Sequence, residues 1–316
     1  MPATRDPHAN DLWPLSRRKF LTLAGVSLTM PWTSRWALAA PLDIGGAEVT
    51  VVSDGQLNLP LSFVLPDIPE PEIKTLFDAN GMAMEAFAPD CNVTLLRKDG
   101  RLAIFDAGSG SNFMPTAGKL LDGLSAASID PAEVTDVIFT HGHPDHLWGV
   151  LDDLDELVFP NASYRMGKAE WDFWRDPGTV EAMPEERKSF AVGAQTRLAA
   201  IEEKIVLFGA GEEVFSGVEA VDTAGHTPGH MSFMVHGSSD KVFIVGDAIS
   251  HAVISFQKPD WHSGSDQDAP RGAKTRTALL DRLATEKPRI IGYHLPHPGI
   301  GRVERKDAAF AFVPEE

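Results

Sequence analysis

Three imidazoles and a carboxylate fall within six residues in the run His141-Gly142-His143-Pro144-Asp145-His146, directly after Thr140 and the apolar segment Val137-Ile138-Phe139. An apolar run that ends in such a cluster reads as a strand carrying donors out of a sheet, so the fold has to present its chemistry at strand ends. Neutral imidazole and carboxylate suit divalent zinc, manganese, cobalt or iron. One ion in a closed structural site seldom needs four donors this close together. The spacing therefore calls for two ions, or one very open one.

With 43% apolar and 23% charged residues among 316, the chain has the composition of a globular protein of one large or two small domains. Residues 1–39 are set apart first. Ser16-Arg17-Arg18-Lys19-Phe20-Leu21, followed by the mildly apolar stretch Thr22 to Met30, reads as a twin-arginine export signal, and Ala37-Leu38-Ala39 gives the small-x-small pattern a signal peptidase cuts. That stretch is too short to span a bilayer, so no stable membrane insertion is expected. The reading implies a mature domain over 40–316 in the periplasm. Export by this route suits a protein that folds and takes up metal before crossing. Cys91, the single cysteine, cannot pair within the chain, so the core and the metal must supply stability. Loss of residues 1–39 removes five basic and two acidic residues and takes the formal net charge from −17 to −20. Such a surface repels phosphate backbones, which excludes nucleic acid as a partner and leaves a small-molecule substrate.

Along the mature chain, 48–55 reads as a strand ending in a turn, and the Pro-rich segment from 59 to 71 as a long ordered loop. Strands are predicted at 92–97 and 102–105 around the turn Lys98-Asp99-Gly100-Arg101, then a helix over about 116–126 and a strand at 136–140. A short strand at 164–166 precedes a helix holding Trp171 and Trp174, and Phe190, Ala194, Leu198 and Ile201 mark a helix over 185–204. Further strands are predicted near 205–208, 218–223, 231–236 and 241–246, a helix at about 275–285 and a last strand at 289–293. Two runs of strands, each followed by helix, imply two packed sheets with helices outside.

Four more donors follow apolar runs: Asp106, His226 in Gly225-His226-Thr227-Pro228-Gly229-His230, Asp247 in Gly246-Asp247-Ala248, and His294 in Gly292-Tyr293-His294. Each alone is weak, because a His or a Gly-Asp after a strand is usually a hydrogen-bonded surface, core or turn residue. Together with the 141–146 cluster, the chain resembles the metallo-β-lactamase superfamily, whose five ordered motifs match these positions. The resemblance implies an α+β fold, a four-layer αββα sandwich with a dinuclear site. It implies that His141, His143 and His226 hold one metal, Asp145, His146 and His294 the other, and that Asp247 bridges them. Asp106 would orient a ligand by hydrogen bonding, and His230 would be structural rather than ligating. Two divalent ions, zinc first with manganese, cobalt or iron as alternatives, about 3.5–4 Å apart would share a water that supplies hydroxide near neutral pH. Asp145 and Asp247 are the catalytic carboxylates of this reading, Asp145 also as a proton acceptor.

Within the superfamily, His143 stands where the redox di-iron flavoproteins carry Glu, which favours hydrolysis, and Asp247 separates the chain from true β-lactamases, which lack a bridging Asp there. The chain is most similar to methyl parathion hydrolase-like enzymes through Ser53-Asp54-Gly55, the 106–118 stretch, Trp174, the 225–230 motif and His294-x-x-x-Pro298-Gly299-Ile300-Gly301 with Phe312-Val313-Pro314. Quorum-quenching lactonases come next, although they place a Tyr three residues after the bridging Asp, where this chain has Ser250. Phe113, Trp171 and Trp174 are expected to wall an aromatic substrate pocket, and His297 stands where the related sequences carry an aromatic. The implied function is hydrolysis of small, mostly neutral esters, phosphotriesters or lactones, including N-acyl homoserine lactones or other cyclic or sulfur esters. The other readings are a mononuclear iron enzyme of the persulfide dioxygenase type and a metal-dependent binding protein without turnover. The resemblance also suggests a homodimer, with the 59–90 segment and the 185–204 helix covering its face.

Overall fold

The layering follows from period-two alternation in the long strands. In β2 (Ala47–Gln56), Val49 and Val51 point one way and Val52 the other; in β3 (Asp90–Lys98), Leu96 opposes Val93 and Leu95. All six are buried, so both faces of the sheet are covered and the strands read as apolar runs rather than as alternating ones. The computed structural model describes residues 40–84 and 87–315. The export-signal reading falls on residues 1–39 and lies outside the described residues.

One seven-stranded sheet runs in chain order from β1 (Leu42–Asp43) through β2, β3, β4 (Arg101–Phe105), β5 (Asp136–Ile138) and β6 (Ser163–Gly167) to β7 (Ile205–Phe208). Its pairs are antiparallel up to β4 and parallel from β4 to β7. The other seven-stranded sheet has the order β14-β13-β12-β11-β10-β9-β8, built from β8 (Glu213–Phe215), β9 (Val218–Asp222), β10 (Met231–His236), β11 (Lys241–Gly246), β12 (Arg289–Gly292), β13 (Ile300–Lys306) and β14 (Ala309–Pro314). Only β11 and β12 are parallel there, and the helix Ala269–Glu286 makes the crossover that parallel pairing requires.

Between the sheets lie Val49, Val51, Leu96, Phe105, Phe233, Val235, Val242 and Ile244. The outer face of the first sheet packs Val93, Ile104, Val137 and Tyr164 against Leu124, Leu198 and Ile201. That of the second packs Met234, Phe243 and Val245 against Leu279, Leu280 and Leu283. These three cores make the four-layer αββα sandwich.

Several elements depart from the expectations. The segment expected as a loop from 59 to 71 holds the helix Leu61–Val64 and the start of Glu70–Ala79, whose Pro71 sits in the first turn, where a missing N–H costs nothing. The helix expected over 116–126 begins at Leu120, and the one expected over 275–285 starts at Ala269, where Asp268 accepts a hydrogen bond from Arg271 N. The 185–204 helix is α-helical over Lys188–Ala200, with 3-10 turns at Glu185–Arg187 and Glu202–Lys204. Strand β8 and the closing hairpin β13–β14 were not expected: β8 has three residues, β13 is largely charged, and β14 is an apolar run without alternation.

Candidate metal centre

Asp106, His141, His226, Asp247 and His294 each follow the C-terminal end of a strand, namely β4, β5, β9, β11 and β12. At β4 the turn is made by Asp106 itself, in the left-handed region at φ 68°, which Asp tolerates better than most residues. Its carboxylate accepts from Thr140 N (2.7 Å) and Thr140 Oγ1 (2.8 Å) and meets His146 Nδ1 at 2.8 Å. The start of the donor run is thereby fixed to the end of β4.

The structure gathers the candidate donors into two buried groups, His141, His143 and His226 in one and Asp145, His146, Asp247 and His294 in the other, with the donor atoms of each group within 4.8 Å of one another. In the first group His143 Nδ1 lies 3.0 Å from His141 Nε2 and 2.8 Å from His226 Nε2. In the second, His294 Nε2 is 3.2 Å from both Asp145 Oδ2 and Asp247 Oδ2, and His146 Nε2 is 3.2 Å from Asp247 Oδ1. Asp247 Oδ2 is also 3.3 Å from His226 Nε2, so this carboxylate touches both groups.

The remaining ring nitrogen of every imidazole is engaged elsewhere. His141 Nδ1 meets Thr140 Oγ1 at 3.0 Å, His143 Nε2 the Gln267 amide at 3.3 Å, His226 Nδ1 Asp266 Oδ1 at 3.1 Å, and His294 Nδ1 the Asp90 carbonyl at 2.9 Å. The hydroxyl, carboxylate and carbonyl oxygens at His141, His226 and His294 draw the proton to the outer ring nitrogen and aim the inward one at the site, whereas the neighbour of His143 Nε2 is the Gln267 amide nitrogen, itself a donor, which positions the ring without fixing its tautomer. His230 plays another part: its Nδ1 faces Thr223 Oγ1 and its Nε2 accepts from Asp247 N, 3.0 Å away. Burial, reinforced by His226, lowers its pKa to about 3, which keeps Nε2 free to accept. Gly246 makes this approach possible, because a Cβ there would stand 2.6 Å from His230 Nε2.

The donors fit divalent ions. His146 Nε2 and Asp247 Oδ1 are buried without a hydrogen-bond partner although they face each other, an arrangement that is costly unless a cation sits between such atoms. Burial and the neighbouring imidazoles hold His141 and His143 well below the usual histidine range, hence neutral, as ligands must be, whereas the Asp247 and Asp145 carboxylates outweigh burial and push His146 and His294 well above it, so these two would release a proton on taking an ion. Burial works against charge at Asp145 and Asp247 too, but His146 and His294 beside them hold both carboxyls below their ordinary range. All-nitrogen and oxygen donors without thiolate are what zinc, manganese, cobalt or iron accept.

Above the donors is a cleft of about 300 Å³ with His143, Asp145, His226, Asp247 and His294 at its floor. Leu59, Phe63, Phe87, Phe113, Met114 and Phe190 supply its apolar wall. Of the residues expected there, only Phe113 lines it. Trp174 is fully buried, its ring 5.8 Å from that of His143 and its indole N–H donated to Glu170. Trp171, three residues earlier and about 60° round the same helix, packs against the outer core under the Arg175 guanidinium. His297 is tied by its backbone N to Asp90 and by Nδ1 to Asn92 Oδ1, outside the cleft. Phe63, Phe87, Phe190, Asp266 and Gln267 were not anticipated; none sits in a donor motif, and only the helical spacing around Phe190 offered a signal.

Residues 87–303 match the sequence profile of the metallo-beta-lactamase superfamily. Metallo-beta-lactamase domain-containing protein 1 of Xenopus laevis is 29% identical over 203 residues, which is 62% of this chain and 72% of that protein. Among solved structures, AidC, a dizinc quorum-quenching lactonase in complex with a product, superposes with a TM-score of 0.83 at 30% identity, covering 88% of this chain and 97% of its own. The hydrolase AbOPH of the beta lactamase superfamily gives a TM-score of 0.81 at 25% identity over 87% of this chain and 97% of its own. With its donors at the strand ends of an αββα sandwich, the chain belongs to the metallo-β-lactamase superfamily.

Proposed function

We propose that this chain is a dinuclear metal-dependent hydrolase of small, mostly neutral esters, with lactones and phosphotriesters as the leading substrate classes. The observation that carries the reading is the joining of two buried donor groups by Asp247 at the floor of an apolar cleft. His141, His143 and His226 would hold one ion and Asp145, His146 and His294 the other, with Asp247 reaching both. When bound, such a pair supplies hydroxide near neutral pH and polarises the electrophilic oxygen. The residues around it do the rest. The aromatic wall takes the apolar part of the substrate out of water and orients its ester toward the floor. Asp145, whose carboxylate lines the cleft, is placed to take the proton released on hydrolysis.

The likeness to a dizinc lactonase supports zinc and the lactone class. Ser250 lines the cleft three residues after Asp247, so this chain offers a small hydroxyl there and room for a bulkier electrophile. The export signal of residues 1–39, proposed from the sequence, would place the enzyme in the periplasm. Among the described residues no helix is long and apolar enough to cross a membrane.

Proton release by the zinc-loaded chain, offered a lactone and a phosphotriester in parallel at equal concentration, tests the reading. Rapid release from either supports ester hydrolysis and ranks the two classes. Release from neither, with two ions bound, would overturn the ester assignment.

A further inference from the structure

Glu170 is fully buried, lines no part of the cleft and belongs to neither donor group. Its carboxylate nevertheless accepts four hydrogen bonds. Oε1 takes Gly142 N at 2.8 Å and Trp174 Nε1 at 2.5 Å; Oε2 takes Thr227 Oγ1 at 2.7 Å and Gly229 N at 3.0 Å. Gly142 lies between His141 and His143, and Thr227 follows His226. One carboxylate therefore ties the loop at the end of β5 to the loop between β9 and β10, across the two sheets.

The helix that carries Glu170 sits directly on both loops. A Cβ at Gly142 would stand 2.5 Å from Trp174 Nε1, and one at Gly229 would stand 2.1 Å from Glu170 N. Burial disfavours a carboxylate, and all four partners are neutral donors, so hydrogen bonds alone hold the charge here; an apolar side chain would leave four buried donors unpaired and bind neither loop. The need for a tie is visible in the trio itself. His143 Nδ1 stands 3.0 Å from His141 Nε2 and 2.8 Å from His226 Nε2, inside the roughly 3.3 Å that tetrahedral nitrogens about 2.05 Å from zinc would keep. Imidazole nitrogens that converge this closely do not gather unaided. We propose that Glu170 is a positioning residue whose carboxylate fixes the separation of the two loops and so sets how tightly His141, His143 and His226 hold their ion. The proposal rests on the two-ion reading above.

In Glu170→Gln the shape is kept, but an amide NH₂ replaces one oxygen and faces the Gly229 or Gly142 N–H. Chelator titration of the full chain loaded with zinc, repeated with cobalt(II) to follow its visible spectrum, reads each ion separately. One ion should leave at about 10–100-fold lower chelator, with an altered cobalt band, while the other stays at the unsubstituted level. The loss should vanish in a His226→Gln background, where the trio is already broken, and persist in Asp145→Asn. Equal retention of both ions in Glu170→Gln would overturn the proposal, whatever the melting temperature does. Fewer than two ions in the unsubstituted chain would overturn the two-ion reading and the proposal with it. Should Glu170→Gln fail to fold, Thr227→Val removes one of the four bonds at nearly equal volume and should show a several-fold loss of the same ion.

Discussion

At the floor of the cleft every imidazole has its outer ring nitrogen engaged, by Thr140, Gln267, Asp106, Asp266 or the Asp90 carbonyl. The wall above is made otherwise: Phe63 lies under the Arg187 guanidinium, Phe87 stacks on His251, and Phe113 meets Phe190 edge to face, with no directional bond fixing any ring. Hydrogen bonds specify angle and tautomer, whereas ring contacts specify little more than volume. A floor built this way tolerates almost no change, because each donor is held through a second residue. A wall built this way can be reshaped, and the difference separates the chemistry of the site from its choice of substrate.

The sharpest way to break the comparison is at the residue common to both donor groups. Asp247→Ala removes two carboxylate oxygens that lie within 3.3 Å of His146, His226 and His294, so both metal retention and turnover should be lost. Metal content after dialysis and proton release on the best substrate check it; a variant that keeps two ions and full activity would remove Asp247 from its bridging place. Asp106→Asn should cost less. It keeps an acceptor for the Thr140 backbone but removes the charge facing His146, and metal affinity should fall about 10–100-fold. Unchanged affinity would mean that the floor does not depend on its outer hydrogen bonds.

The floor was legible in the sequence and the wall was not, and the reason lies in the same contrast. His141 to His146, Asp106, His226, Asp247 and His294 are donors at strand ends, each weak alone but readable together through the dense 141–146 cluster and the order of the motifs along the chain. The two sheets were legible too, because strands such as β3 and β11 are buried on both faces. Wall residues come from separate short helices, Phe63 from Leu61–Val64 and Phe190 from Lys188–Ala200, and only tertiary packing aims them at one space. Trp174 misled for a related reason. Its helical spacing from Glu170 puts both on the buried side of Lys168–Arg175, so a residue expected in the cleft fills the core behind His143. Asp266 carries no local mark: forty residues separate it from His226, and the Arg276 guanidinium that flanks it lies on the following helix.

The smallest expected effects sharpen the boundary between wall and surroundings. Phe190 lines the cleft and meets both Phe113 and the ring of His143, 6.5 Å away, so Phe190→Ala removes apolar surface that a bound ester would cover. A contact made equally in ground and transition states raises KM and leaves kcat alone. About a tenfold rise in KM is expected for esters with an apolar tail, and little for those without one, since an apolar contact of this size discriminates by roughly 10-fold or more. His297→Ala should move kcat/KM by less than about twofold for either kind. Its ring is held by Asn92 and lines no part of the cleft, and surface changes away from a site usually shift energies by at most about 0.5 kcal/mol. If His297→Ala instead altered the preference between tailed and tailless esters while Phe190→Ala did not, the wall would have to be redrawn around the loop that follows His294, and the aromatic cluster would be packing alone.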